Sequence, residues 1–233
     1  MIAKNYADPN ESVGYNTLPD LDISEGADFY AARQEKIEKL LNASSRDMSE
    51  EQKAYWRDMN SRVDAPFQYG YYTGWEVIIS SFELLMFALL AVCIVIAPVF
   101  SGEYQAGTDA VILSAKYGKT KLTTAKIIAS FLFGTLAFTL HLVVALGLPL
   151  AAFGFDGWDL PLQIANTTIP YPFTFLQTVL VNLGVIYLVL FAMIGLTLLL
   201  SAKMKSPYLV LIVLVPVLFI PCLLYTSMIQ LNI

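Results

Sequence analysis

One histidine and two cysteines in 233 residues leave this sequence short of metal-ligating and redox side chains. Cys93 and Cys222 have neither the spacing of a zinc site nor the density of a disulfide framework. Hydrolytic chemistry lacks its parts as well, because no paired carboxylates share a helical face and no Gly-x-Ser-x-Gly turn occurs. Charge is scarce, at 14% of residues against 57% hydrophobic, and that balance points away from a soluble domain. The apolar residues gather into long blocks without period-2 alternation, which excludes the strands of a membrane barrel. No catalytic residue, metal site or cofactor is expected on the chain.

What is present is length of apolar run. Four blocks reach the roughly 20 residues that a helix needs to cross a hydrocarbon core: residues 77–100, 127–153, 173–200 and 208–225. Lipid leaves no partner for unpaired backbone groups, so each block is expected to be helical. The expected fold class is all-α, a polytopic membrane protein with four transmembrane helices over residues 75–227 and a helical segment before them. Ser206-Pro207 reads as a cap followed by proline at the first helical position, opening the fourth span.

Charge sets the orientation. Residues 1–74 hold 13 acidic and 8 basic side chains, which accounts for the whole net charge of −5 and disfavours a nucleic-acid partner. Beyond them every lysine lies in two loops: Lys116, Lys119, Lys121 and Lys126 between spans one and two, Lys203 and Lys205 between spans three and four. The loop from Gly154 to Pro172 carries Asp156 and Asp159 and no lysine. The positive-inside rule places both lysine loops in the cytoplasm and residues 1–74 outside it. No apolar segment precedes those residues, although a charged tail of that length needs one to be translocated. A further upstream span is therefore expected, with Met1 not the natural start. At the other end, Cys222-Leu-Leu-Tyr-Thr-Ser227 looks like a translated transposon end from sequencing-library preparation, so residues 222–233 are expected to be a sequencing artefact.

Within the extracytoplasmic segment, residues 1–28 read as loop. From Asp28 the spacing of Phe29, Ala32, Ile37, Leu40 and Leu41 predicts a helix with Arg33 and Lys36 on its polar side. A second helix is expected from Ser49, its side chain capping the N-terminus and Gln52 closing a capping box. Tyr69, Tyr71, Tyr72 and Trp75 crowd the approach to span one, as rings at the headgroup level do.

The loop over residues 101–126 opens with Ser101-Gly102, read as a breaker, and Ala106, Ala110, Val111, Leu113 and Ser114 are expected on one face of a short surface helix. Such a helix suits a groove on a cytosolic partner. Gly118-Lys119-Thr120 is not a phosphate loop, because the required leading glycine position is Leu113.

The order Glu103, Gly107-Thr108, Ile112-Leu113-Ser114, Lys119 and Lys126 between two spans resembles the first cytoplasmic loop of ABC-2 type transporter permeases, the transmembrane subunits of ABC exporters. The detailed likeness covers about 25 residues, and the order of spans and loop charges extends it over about 75–220. Where the family often has a proline and an arginine in the basic turn, this chain has Tyr117-Gly118-Lys119; the family's usual six spans make this chain a fragment lacking the first and last. The resemblance implies a permease in a bacterial cell membrane that couples ATP hydrolysis to export. Its partners would be a cytosolic ATP-binding subunit, which holds the ATP and Mg²⁺, and a second permease as homo- or heterodimer. Glu103, Gly107, Thr108, Leu113, Ser114, Lys119 and Lys126 would form the coupling loop. The alternative is a non-transporting sensor or scaffold whose extracytoplasmic hairpin binds a ligand.

Glu83 and His141 are the ionisable residues well inside the spans. Lipid exposure of such groups is costly, so they are candidates to line the pathway, with snorkelling for Glu83 and a packing role for His141 as the plainer readings. Gly134, Gly147, Gly184 and Gly195, with Pro149 and Asn182, are expected where helices approach or bend.

Overall fold

The protein is described here by a computed structural model covering residues 23–43 and 48–230. Residues 1–22, including most of the expected N-terminal loop, and residues 231–233 lie outside the described part. Its regular elements are helical, apart from one isolated antiparallel bridge between Pro161 and Thr174. The chain divides into two compact units, residues 1–76 with 155–178 and residues 77–154 with 179–233. The segment between the second and third long helices thus joins the N-terminal segment, where the sequence reading left it with the membrane part.

In the first unit, α1 (Ile23–Leu41) and α2 (Glu50–Ser61) form a hairpin. The helix begins five residues before the expected Asp28, and its buried stripe is Phe29, Arg33, Ile37 and Leu41, one residue per turn. Ala32 is exposed, and Arg33 takes the interior place that the sequence assigned to an apolar residue. An Arg is tolerated there because its donors are used: Nε donates to the Thr167 carbonyl at 2.8 Å, Nη2 to the Ile169 carbonyl at 3.2 Å, and the guanidinium lies 5.4 Å from the Phe67 ring centre. The capping box forms as expected, with Gln52 N–H donating to Ser49 Oγ at 3.3 Å and Ser49 N–H to Gln52 Oε1 at 2.9 Å. Arg57 braces the hairpin through two bonds of 3.0 Å to Glu38.

The aromatic cluster splits. Tyr69 and Tyr71 are exposed, whereas Tyr72 stacks on Phe175 with ring centres 5.2 Å apart and Trp75 Nε1 donates to the Phe155 carbonyl at 3.1 Å. Gly157, at φ +89°, lies so close to the Tyr71 carbonyl that a Cβ would overlap it. These contacts hold residues 28–76 and 155–175 together within the first unit.

The second unit holds most of the long apolar helices. Three helical stretches are long and apolar enough to cross a membrane: Thr73–Ala106, Gly118–Phe153 and Phe175–Lys203. The first is interrupted, running as α3 (Thr73–Ser81), a 3-10 turn Phe82–Leu84, α4 (Leu85–Ile96) and α5 (Pro98–Ala106). Ser81 Oγ bonds back to the Ile78 carbonyl at 2.7 Å just before the 3-10 turn, a contact that bends helices. Ser101 and Gly102 are helical, so the expected breaker is displaced to Ala97-Pro98, where the proline removes a donor. After α6 (Asp109–Ser114) come α7 (Thr123–Phe153), α8 (Phe175–Lys203) and α9 (Pro207–Gln230). Pro207 takes the first position of α9, and Leu209 and Val210 N–H groups bond to the Ser206 carbonyl at 3.2 and 3.4 Å. Among the described residues its apolar stretch is Pro207–Ile220.

Leu85, Leu89, Val92 and Ile96 of α4 pack with Phe138 and Leu142 of α7 and with Leu190, Ile194 and Leu198 of α8. Cys93 is free and buried, packed with Met193, Val210 and Leu214. Between α7 and α8, Thr139 Oγ1 spends its proton on the Thr135 carbonyl, so the 2.7 Å contact with Tyr187 is donated by the tyrosine.

Of the glycines expected at helix contacts, Gly134 alone meets a neighbour: a Cβ there would stand 2.6 Å from Ile194 Cδ1 and 3.1 Å from Val92 Cγ1. Gly147, Gly184 and Gly195 have nothing within 4 Å of that position. Gly134→Leu is expected to lower stability by about 1–3 kcal/mol through overpacking, whereas Gly147→Leu leaves it unchanged. Unfolding titrations in mixed detergent micelles would read the difference.

Candidate functional site

The site is built around a helix break. At Ala97-Pro98 the ladder of the first membrane stretch is interrupted, and the first N–H groups of α5 have no partner within their own helix. Ser201, fully buried near the end of α8, supplies one: its Oγ accepts from Phe100 N–H and Ser101 N–H, both at 3.0 Å, and donates to the Ala97 carbonyl at 2.6 Å. Ser101 Oγ donates to the second lone pair of the same carbonyl at 2.7 Å. The hydroxyl of Ser201 works as an N-cap delivered from another helix.

The end of α5 is closed by Gly107 at φ +68°, with Gly107 N–H on the Tyr104 carbonyl at 3.2 Å and Thr108 N–H on the Glu103 carbonyl at 3.1 Å. That pair of bonds is the Schellman cap, which needs a left-handed residue where Gly107 stands. Gly107 and Thr108 are thus legible in the sequence for a local reason.

Glu103 and Lys126, the two ends of the expected coupling loop, come together as a partly buried ion pair. Lys126 Nζ also donates to the Val99 carbonyl at 3.0 Å and lies 5.1 Å from the Phe100 ring centre. Both charges face inward, bracing α5 against the start of α7.

Outward-facing groups lie farther along the loop. Val111 is 71% exposed and Leu113 44% exposed on the single turn and a half of α6, and Ser114 Oγ bonds back to the Val111 carbonyl at 2.9 Å. The expected apolar face is divided, because Ala106 ends α5 and Ala110 to Ser114 belong to α6. Gly118 is buried where a Cβ would overlap the Ile112 carbonyl, which gives Tyr117-Gly118-Lys119 a steric reason. A π-turn, Gly118–Leu122, leads into α7. Lys119 is exposed, and the Tyr117 ring has Lys116 and Lys121 at 5.4 and 4.6 Å.

Below the loop lies a cavity of about 460 Å³. Glu103, Asp109 and Lys126 stand at its loop end, and Ile127, Phe131, Gly195 and Leu199 line it farther along α7 and α8.

A family model described as a protein of unknown function, DUF2705, matches residues 52–228. The chain belongs to the DUF2705 family. No curated protein matches it, and no solved structure does. The DUF2705 match takes in the whole of this site, from Ala97 to Phe131 and the Gly195–Ala202 turns, and leaves α1 outside.

The other candidates are not joined. Glu83 sits exposed in the 3-10 turn, and His141 is exposed on α7 beside a cavity of about 220 Å³ lined by Ala88, Val92, Phe133 and Phe138. No bond links Glu83 to His141 among the described residues. Among the described residues no group of three or more His, Cys, Asp or Glu could hold a metal ion. Sequence reasoning missed Ser201 and Asp109; Pro98 inside an apolar run was the available signal that a cap had to exist, but nothing local names its donor.

Ser201→Ala strips the partner from two N–H groups in an apolar setting and is expected to cost about 1–3 kcal/mol, with Ser101→Ala costing less because Ser201 still serves the Ala97 carbonyl. Denaturant unfolding followed by circular dichroism tests the order of the two.

Proposed function

We propose that this DUF2705 chain is a permease subunit of an ATP-driven exporter of the ABC-2 type, with hydrolysis carried out by a separate cytosolic subunit. The observation that carries the reading is a short helix with exposed Val111 and Leu113, held by rigid devices on both sides. The Schellman cap and Gly118 fix its two ends. Ser201 and the Glu103–Lys126 pair connect α5 to α8 and α7. A push on the loop would therefore move membrane helices instead of dissipating in a slack linker. Coupling requires only that the ATPase subunit bind two permease conformations with different affinity.

In this reading α9 is a fourth span, residues 101–126 and the Lys203–Lys205 turn are cytoplasmic, and the first unit is extracytoplasmic on a bacterial cell membrane. Support comes from the packing of residues 28–76 with 155–175, the two segments that the charge pattern puts outside. Glu83 and His141 are exposed on helices meant for lipid, which favours a second permease covering them.

The second reading, a sensor or scaffold, draws on an apolar cavity of about 290 Å³ in the first unit, lined by Ile37, Leu40, Met48, Trp56 and Tyr171.

Val111→Asp with Leu113→Asp changes the exposed face and none of the bracing contacts. In proteoliposomes holding the chain with the ATP-binding subunit from its gene neighbourhood, this pair is expected to abolish stimulation of ATP turnover while thermal stability is kept. A wild-type chain that stimulates no such subunit moves the assignment to the sensor. For topology, single cysteines at Tyr55 and Lys119 in a Cys93→Ala, Cys222→Ala background are expected to react with an impermeant maleimide in intact cells only at Tyr55; labelling at Lys119 would invert the orientation.

A further inference from the structure

From the cavity beneath the loop we infer that the chain carries a binding site for a single-chain amphiphile with a cationic head. Its volume, about 460 Å³, lies in the range of small-molecule sites. The walls change character along their length. At the loop end they present Glu103, Asp109 and Lys126, and from Ile127 to Phe131 on α7 and Leu199 to Gly195 on α8 they are apolar. From Leu122 to Phe131 there are nine residue steps, roughly 14 Å of helix axis, which suits an alkyl chain lying along the helices. Gly195 keeps that end open, since no atom lies within 4 Å of where its Cβ would be.

The charge at the mouth selects the head group. Lys126 is committed to Glu103, to the Val99 carbonyl and to the Phe100 ring. Asp109 is half-buried and has no ion pair or side-chain hydrogen bond among the described residues. Within the lining Asp109 is the charge left without a partner, and it suits an ammonium or alkylamine head; Lys116, Lys119 and Lys121 of the same loop stand outside the lining. An apolar tail alone would leave the carboxylate without a counter-charge as water is displaced. The site needs no ATPase partner, and so stands apart from the export reading.

The test uses the full chain in nanodiscs of zwitterionic lipid, titrated calorimetrically with decyltrimethylammonium against empty discs. One saturable site per chain is expected, weakened about tenfold or more in Asp109→Asn and lost in Gly195→Leu, with decyl sulfate failing to compete. Gly195→Leu meets no neighbour at its Cβ, and an unchanged thermal midpoint without ligand verifies its fold. Partition equal to that of empty discs, unaltered affinity in both variants, or equal competition by decyl sulfate overturns the site. Because no ATPase subunit is present, its failure is distinct from a failure of the export assay.

Discussion

Pro98 breaks a helix apolar enough to cross a membrane, at a buried point where water does not reach the freed backbone groups, and Ser201 makes good the loss from a helix about 100 residues away. One hydroxyl satisfies two N–H groups and half of a carbonyl, and it can do so only if α8 ends beside the break. The packing of Val92 and Ile96 against Ile194 and Leu198 sets that position. Packing between such apolar helices depends on close van der Waals fit, so Gly134, which lets α7 come down on Ile194, belongs to the same constraint.

The consequence is a loop with little slack. α5 is fixed at its start by Ser201, at its end by Gly107, and along its side by the Glu103–Lys126 pair. The pair is only partly buried, so its value lies in register: breaking one partner leaves the other charge uncompensated, which costs more than the intact pair contributes. Arg33 plays a comparable part in the first unit, where it satisfies the carbonyls of Thr167 and Ile169 and thereby holds two distant chain segments together. In both units a polar side chain in an apolar interior joins pieces that are remote in sequence.

The proposal that this loop couples to an ATP-binding subunit starts from residue order. The geometry says what those residues do here: Glu103 faces inward on Lys126, Gly107 and Thr108 cap a helix, and Val111 and Leu113 are the side chains left facing out. A partner that reads the loop would therefore meet apolar side chains and Lys119 more than Glu103.

Local physics was legible from residue order. Apolar blocks predicted the helices at Thr123–Phe153 and Phe175–Lys203 to within a few residues, Ser49 and Gln52 predicted their reciprocal bonds, and Pro207 its first-turn position. Each depends on neighbours within a turn or two, or on the composition of a whole block, and neither requires knowing where the rest of the chain goes. Ser201 under α5, Arg33 inside the first unit, Glu103 on Lys126 and the cavity above Gly195 were decided only by tertiary structure. Their partners lie between 23 and 136 residues away in sequence, and no periodicity or propensity carries information over such separations. The alternation of apolar and polar residues says which faces must be covered, but the choice of cover is made when helices pack.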